Sequence, residues 1–546
     1  MKKAKNALFI LFVSSILMFV SACGNDKAEQ SSGQSNSEPI VTAAGTFPIV
    51  EEEVTLDVMI PSNSLVKDFD KNEFTKWYEE KTGVHINWEI VPAEGAKEKL
   101  NLMLTSGDLP DVIMDFTLTP SQLMIYGQKG VFLNLNDLID NYGVETKKMF
   151  EEFPAVKDAV TTPDGDIYAL PQVNDCYHCS MPQKMWVYQP WLDELGLEMP
   201  TTTEEFYTVL KAFKEEDPNG NGKADEIPFS GSKDETTGEI AGFLMNAFIY
   251  NDMHVKEGNI TAPWDKDEWK EGLKYLNKLY KEGLIYSGSF TQDADQNKTL
   301  GDNPDVPILG ASVGLNSGSF ADLENGRGRD FEVVPPLKGP DGEQVTLYTP
   351  SPVTKPTEFI ITKNAKHPDV AMRWADAMYS EEITMRSTLG PPDEGWKEAE
   401  EGEKGLDGEQ AKFKEIQIDW SSQNINWSQT GPSLRSHDYR ASFAYDKTEN
   451  GDNQEVLLWN ATEKYEPYIS TTVESVPDLF FTQEQASELV NLESTIEDFV
   501  DEKTAQFITG KADIDKSWDN YISELENIGL GKYIDIYQQA YDAKYK

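Results

Sequence analysis

Residues 54–91 read VTLDVMIPSNSLVKDFDKNEFTKWYEEKTGVHINWEIV, and the pattern of this stretch decides the fold class. Val54, Leu56, Val58 and Ile60 alternate with other residues, the period-two signature of a strand that buries one face. KNEFTKWYEEKTG, at 71–83, then carries apolar residues at helical spacing and ends in glycine. Ile86, Trp88 and Ile90 resume the alternation. A strand, a helix and a second strand joined in this way form a βαβ unit, because parallel strands need a crossover connection. Beyond it, the spacing predicts a helix over about residues 96–105 that closes at Ser106-Gly107. LPDVIMDF, at 109–116, follows with the continuous apolar core of a buried parallel strand. The fold class is therefore α/β with an open sheet, and such sheets bind ligands outside the carboxyl ends of their strands. That rule nominates Asp115 and Phe116.

At the N-terminus the chain begins MKKAKNALFILFVSSILMFVSACG. Lys2, Lys3 and Lys5 precede an apolar run from Ala7 to Val20, as in a signal peptide. The run is shorter than the ~18–20 apolar residues a membrane-crossing helix needs. Val20-Ser21-Ala22-Cys23 resembles the lipobox of bacterial lipoproteins. This implies that residues 1–22 are removed and that Cys23 carries the lipid. A soluble secreted protein is the alternative. Residues 23–53 read as a flexible tether, polar at first and without a period.

The chain holds 48 basic and 95 acidic residues, a formal net charge of −47. This excludes nucleic acid as a partner and favours a neutral ligand unless a local basic pocket overrules the global field. Of three cysteines, two form Cys176-Tyr177-His178-Cys179. A local disulfide, two free thiols, and zinc or redox chemistry are all open at this level, although a four-ligand zinc site needs more donors than the cluster holds.

Seven phrases in sequence order carry a family resemblance: SGDLPD (106–111), GVFLNLNDLI (130–139), PDGDIYALP (163–171), MWVYQPWLDELGLEMPTTTEEF (185–206), DPNGNGKADEIPF (217–229), GLKYLNKLYKEGLI (272–285) and NAKHPDVAMRWADAMYS (364–380). Together they resemble the extracellular family 1 solute-binding proteins. The likeness is greatest to the long lipoprotein branch similar to alginate- and oligosaccharide-binding proteins of ABC importers. The resemblance implies a two-lobed, periplasmic-binding-protein-like (type II) fold with a hinge and a ligand cleft between the lobes. It also implies a monomeric, non-enzymatic receptor, lipid-anchored at the extracellular face of the cell membrane, that delivers an oligosaccharide to an ABC permease. An extracellular polysaccharide-degrading or adhesive lipoprotein is the alternative. By analogy with maltodextrin-binding proteins the chain crosses between lobes near residues 172, 330 and 380. The N-terminal lobe is then 54–172 plus 331–379, and the C-terminal lobe 173–330 plus 380–546.

Within DPNGNGKADEIP, Asp217, Asn219 and Asn221 place oxygen-bearing side chains at every second position, Gly222 permits a sharp turn, and Lys223 offers a backbone carbonyl. This is the opening of a calcium loop. An EF-hand places a glutamate at its twelfth position, where this chain has Pro228. The alginate-binding relatives close the matching segment with residues corresponding to Asp225 and Glu226, which implies a structural Ca²⁺ here. A solvated turn is the plain alternative, but it has no use for three crowded carboxylates.

For the ligand, aromatic density is informative, because sugars pair apolar C–H faces with a ring of hydroxyls. IDWSSQNINWSQTGPSLRSHDYR, at 418–440, offers Trp420, Asn424, Trp427, Gln429, Arg435, His437 and Tyr439 in a loop-like composition, and Arg435 and Arg440 are two of only six arginines in the chain. The resemblance adds Asn316 and Ser317 in GLNSGSF at 314–320, Trp396 in PPDEGW at 391–396, and Tyr177 and His178 just past the first crossing. No nucleophile elbow, P-loop, HExxH or dinucleotide fingerprint occurs.

Overall fold

A six-stranded sheet is built from both ends of the chain. Its spatial order is Ser433–Arg435, Leu170–Asn174, Val353–Ile361, Val112–Met114, Val54–Pro61, Val84–Val91. The computed structural model describes residues 41–116, 118–233, 238–323, 327–350, 352–416, 423–445 and 454–546. The signal segment, Cys23 and Trp420 lie outside them.

The βαβ unit forms as its alternation requires. Val54–Pro61 and Val84–Val91 run parallel with Val54 opposite Val84, and Val112–Met114 adds parallel on the other side. The connecting helix, Glu73–Thr82, starts where the Asn72 side chain accepts from the Phe74 amide and stops at Gly83, whose φ of 74° is left-handed. The second helix is Ala96–Ser106. Successive residues sort to opposite faces of the sheet: Leu56, Val58, Ile60, Val112, Met114, Phe359 and Ile361 enter one core. Met59, Ile113 and Ile360 enter the other. Burial of both faces explains the unbroken apolar run at 112–114.

A second sheet has Met185–Tyr188 at its centre, antiparallel to Ala311–Val313 and to Phe331–Val334. Its core takes in the helix Thr203–Glu215, started by a Thr202–Glu205 capping box, the helix Asp267–Lys281, and the C-terminal helices Gln483–Thr509, Ile514–Ile528 and Leu530–Tyr545. Trp374 is core, in the helix Pro368–Ala377. No helix among the described residues is long and apolar enough to cross a membrane.

Three expectations are corrected. Residues 41–50 are part of the fold, not of the tether: Ile49 and Val50 enter the first core, Val41 bridges Val50, and the Arg373 guanidinium donates to the carbonyls of Thr42 and Thr46 at 2.5 and 2.7 Å. Phe331–Val334 pairs in the second sheet, so a crossing near 330 falls too early. Ile383, Trp427 and the strand Ser433–Arg435 belong with the first sheet and core, so a crossing near 380 also falls too early.

Candidate functional site

The carboxyl edge of the first sheet gathers charged and amide side chains in one row. Lys355 is registered beside Gln172, Gln172 beside Ser433, and Asn174 beside Arg435. Asp115, just past its strand, has φ 61°, a left-handed conformation that few non-glycine residues adopt. Its amide donates to the Glu358 carbonyl at 2.9 Å, and the Lys355 ammonium contacts its carboxylate. Glu358 is fully enclosed and accepts from the Gly431 amide at 2.6 Å. Burial, reinforced by the Asp115 charge, raises its carboxyl well above the ordinary range. Sequence reasoning found Asp115 here but missed Lys355 and Glu358.

Next to this row, residues Tyr177–Ser180 form a short 3₁₀ turn closed by a disulfide between Cys176 and Cys179. Neither thiol is thereby free to bind a metal. The turn is held from behind by the buried Lys184 ammonium, which donates to the carbonyls of His178 at 3.1 Å and Met181 at 2.5 Å. Tyr177 packs on Trp459 with ring centroids 4.6 Å apart and meets His437 edge-on at 6.0 Å. Its hydroxyl donates to Glu466 at 2.9 Å. His178 is buried with Nδ1 3.8 Å from Glu455. Burial lowers it to about 4, so the ring is neutral at pH 7.

Arg435 and Tyr439 stand beside this turn. Arg440 donates to Asn174 at 3.1 Å and to Glu455 at 2.8 Å. Burial pushes the Tyr439 hydroxyl up to about 12. Tyr439 packs on Phe443 at 5.3 Å, Phe443 on Phe413 at 5.9 Å, and Phe413 edge-on to Trp396 at 5.4 Å. A chain of rings thus links Trp396 to the Arg435 side of the cluster. The Trp396 indole nitrogen donates to the Gly390 carbonyl at 3.1 Å.

Tyr177, His178, Arg435 and Tyr439 therefore come together, and Asp115 lies along the same edge. Three nominations are corrected. Trp427 is 0% exposed; it packs against Phe74, Trp88 and Trp374 and donates to Thr75 at 2.8 Å. Phe116 is buried in the apolar cluster with Leu118 and Phe132. Ser317 is fully enclosed, whereas Asn316 beside it is half-buried. Residues missed from sequence are Trp459 and Glu455; the aromatic and charged composition of 454–466 was the available signal.

The 217–226 loop folds back on itself as the spacing requires. Gly222 donates its amide to Asp217 at 3.0 Å, and Asn219 and Asn221 point their amides at the Asp225 carboxylate at 3.0–3.1 Å. One oxygen of Asp217 and one of Glu226 are buried without a hydrogen-bond partner. Burial, with Asp217 and Asp225 nearby, raises Glu226. Two buried carboxylate oxygens without partners, in a loop that also holds the oxygen-bearing side chains of Asn219, Asn221 and Asp225, fit a hard cation.

Two sheets with separate cores, and a polar, aromatic cluster at the edge of one, define the class: a two-lobed receptor of the kind that clamps a solute. The chain matches the family model described as bacterial extracellular solute-binding protein over residues 62–385. It is 32% identical to the fructooligosaccharide ABC transporter substrate-binding protein FusA of Streptococcus pneumoniae serotype 4, over 97% of each chain. Two solved structures of FusA from S. pneumoniae, one in complex with kestose and one of an EF-hand mutant in complex with fructo-nystose, align with TM-scores of 0.71 at 29% and 28% identity. Each alignment covers 89% of this chain and 99% of that one. The chain belongs to the bacterial extracellular solute-binding protein family.

Proposed function

We propose that this protein captures an oligosaccharide between its lobes and passes it, chemically unchanged, to the permease of an ABC importer. The observation that carries this reading is the convergence of Tyr177, His437, Arg435, Arg440 and Glu455 at the carboxyl edge of the first sheet, with Trp459 bracing the rings. Half-buried rings can stack on sugar faces while fixed charges take the hydroxyls. Micromolar capture needs ~8 kcal/mol net. The ligand must also favour the closed form over the open one for closure to follow binding. Kinship with a fructooligosaccharide-binding protein supports a saccharide as the solute. Calorimetric titration with fructan, pectin-derived and alginate-derived oligosaccharides tests the reading; no heat from any of them would defeat it.

The lobes are best drawn as residues 41–174 with 353–435, and 177–334 with 454–546, following sheet and core membership. The protein works as a monomer held to the outer face of the cell membrane by a lipid on Cys23; Cys23→Ser should release it into the medium. Residues Asp217, Asn219, Asn221, Lys223, Asp225 and Glu226 hold a structural Ca²⁺. The two orphaned oxygens support this, as does the existence of an EF-hand in the pneumococcal relative. When bound, the ion supplies charge neutralisation in the loop and takes no part in ligand chemistry.

A further inference from the structure

Arg435 is only 6% exposed, yet among the described residues its guanidinium makes no hydrogen bond and no ion pair, and its Nε is fully shielded with no partner. Among the described residues, the buried Arg373 and Lys184 and the neighbouring Arg440 all have partners. Arg373 has two carbonyls, Lys184 has two, and Arg440 has Asn174 and Glu455. Among the described residues the surroundings offer Arg435 no spare anion. Glu455 pairs with Arg440, and burial together with the Glu455 charge raises Glu415 toward its neutral form. Arg440 is instead a like charge, and with burial it pulls Arg435 down to about 10. A desolvated guanidinium without acceptors is costly, and folds keep one where a partner arrives from outside.

Resting on the reading of this cluster as the saccharide site, we propose that Arg435 recognises a carboxylate, and that the oligosaccharide taken by this protein is acidic, carrying uronic acid units. The guanidinium fork matches a carboxylate with two parallel charge-assisted hydrogen bonds. Sugar hydroxyls give weaker bonds and leave the charge uncompensated. The half-buried faces of Tyr177 and His437 nearby stack on the ring that bears the carboxylate. The net charge of −47 repels such a ligand at long range, so the attraction has to be local and buried, as Arg435 is.

The test is calorimetric titration of the full mature protein with the trisaccharides of galacturonate, mannuronate and guluronate, the methyl ester of whichever binds, and 1-kestose as the neutral comparator. At least one acidic trisaccharide should bind, and its methyl ester should bind at least tenfold more weakly. Arg435→Gln should lose thirtyfold or more in affinity for the acid, and Arg435→Lys should lose less. Without ligand, Arg435→Gln should melt at the same temperature as the parent or higher, because it removes an uncompensated buried charge; a merely structural arginine would lower it. Equal binding of acid and ester, unchanged affinity in Arg435→Gln, or failure to bind all three acids overturns the proposal. In that last case tight binding of 1-kestose leaves the receptor reading standing, whereas no binding of any saccharide removes both.

Discussion

Lys544, in the last turn of the C-terminal helix, donates to the carbonyl of Asp158 at 2.7 Å and lies 3.3 Å from its carboxylate. Tyr545 donates to the same carboxylate at 2.7 Å. Asp158 sits on the helix Pro154–Val160 of the first core, and the C-terminal helix packs in the second. The end of the chain therefore joins the second lobe to the first at a point well past the last crossing, which lies between residues 435 and 454. The Lys544 side chain is 6% exposed, whereas Asp158 is half exposed.

Removal of one partner of this clasp should be worse than removal of both. Asp158→Ala leaves the enclosed ammonium the main-chain carbonyl but no counter-charge at this contact, and should cost about 1–2 kcal/mol, less than a fully buried pair because the carboxylate is partly solvated. Lys544→Met should cost less, and the double variant should recover part of the loss. Thermal unfolding of the four proteins as a cycle measures the coupling; strict additivity contradicts a direct interaction.

His178 gives the protein a sensitivity to acid. Its folded-state value is about 4 against an ordinary 6.5, so above pH 6.5 the ring is neutral folded or unfolded and its contribution is intact. As pH falls from about 6.5 to about 4, the unfolded chain takes a proton that the folded one refuses. Stability then drops by up to ~3 kcal/mol. Glu455 opposes the shift, while Arg440 and Lys184 reinforce it. The melting temperature of His178→Asn should fall less steeply across this window than that of the parent. Parallel curves would show that His178 is not the group responsible.

The 217–226 loop should couple stability to calcium. Chelator should lower the melting temperature in proportion to the occupancy it removes, and Asp217→Ala should abolish the response, since only the folded loop gathers the ligands. Identical melts with and without chelator would count against an ion there.

Trp427 and Tyr177 separate core from site. Trp427→Ala should cost ~3–5 kcal/mol of stability, the scale of emptying an enclosed aromatic position, while the protein that remains folded binds saccharide as before. Tyr177→Ala should weaken saccharide binding by roughly 1–3 kcal/mol, as for an aromatic anchor. Denaturant unfolding and calorimetry on both variants tell the two roles apart; reversed outcomes would place the site elsewhere.

The contrast between these two residues explains what was legible in the sequence. The βαβ unit was readable because period-two and helical spacings follow directly from which face each side chain must bury. Trp427 misled because its Ser-, Asn- and Gln-rich neighbours look like ligand donors. In the fold those polar groups serve the backbone: Gln423 accepts from the Ile425 amide at 2.6 Å and Asn426 from Ser428 at 2.8 Å. They build a tight loop, with Ser428 and Gln429 at positive φ, that presses the indole into the first core. The strand at 433–435 has only three residues, too few to show a period, so the late crossing between lobes left no local mark. Glu358 and Lys355 were invisible because a charged pair near a strand end normally faces water; the enclosure of Glu358 depends on the Gly431 segment, more than 70 residues away.

Capture without chemistry is the central claim, and it is tested most directly by the mass of what the protein holds. The calcium-loaded mature chain is incubated with a saturating mixture of oligosaccharides, separated from free sugar by gel filtration, and denatured, and the released saccharide is weighed by mass spectrometry. The account predicts one intact oligosaccharide per protein, of the same mass as a component supplied. Shortened products, or no retained saccharide at all, would contradict it.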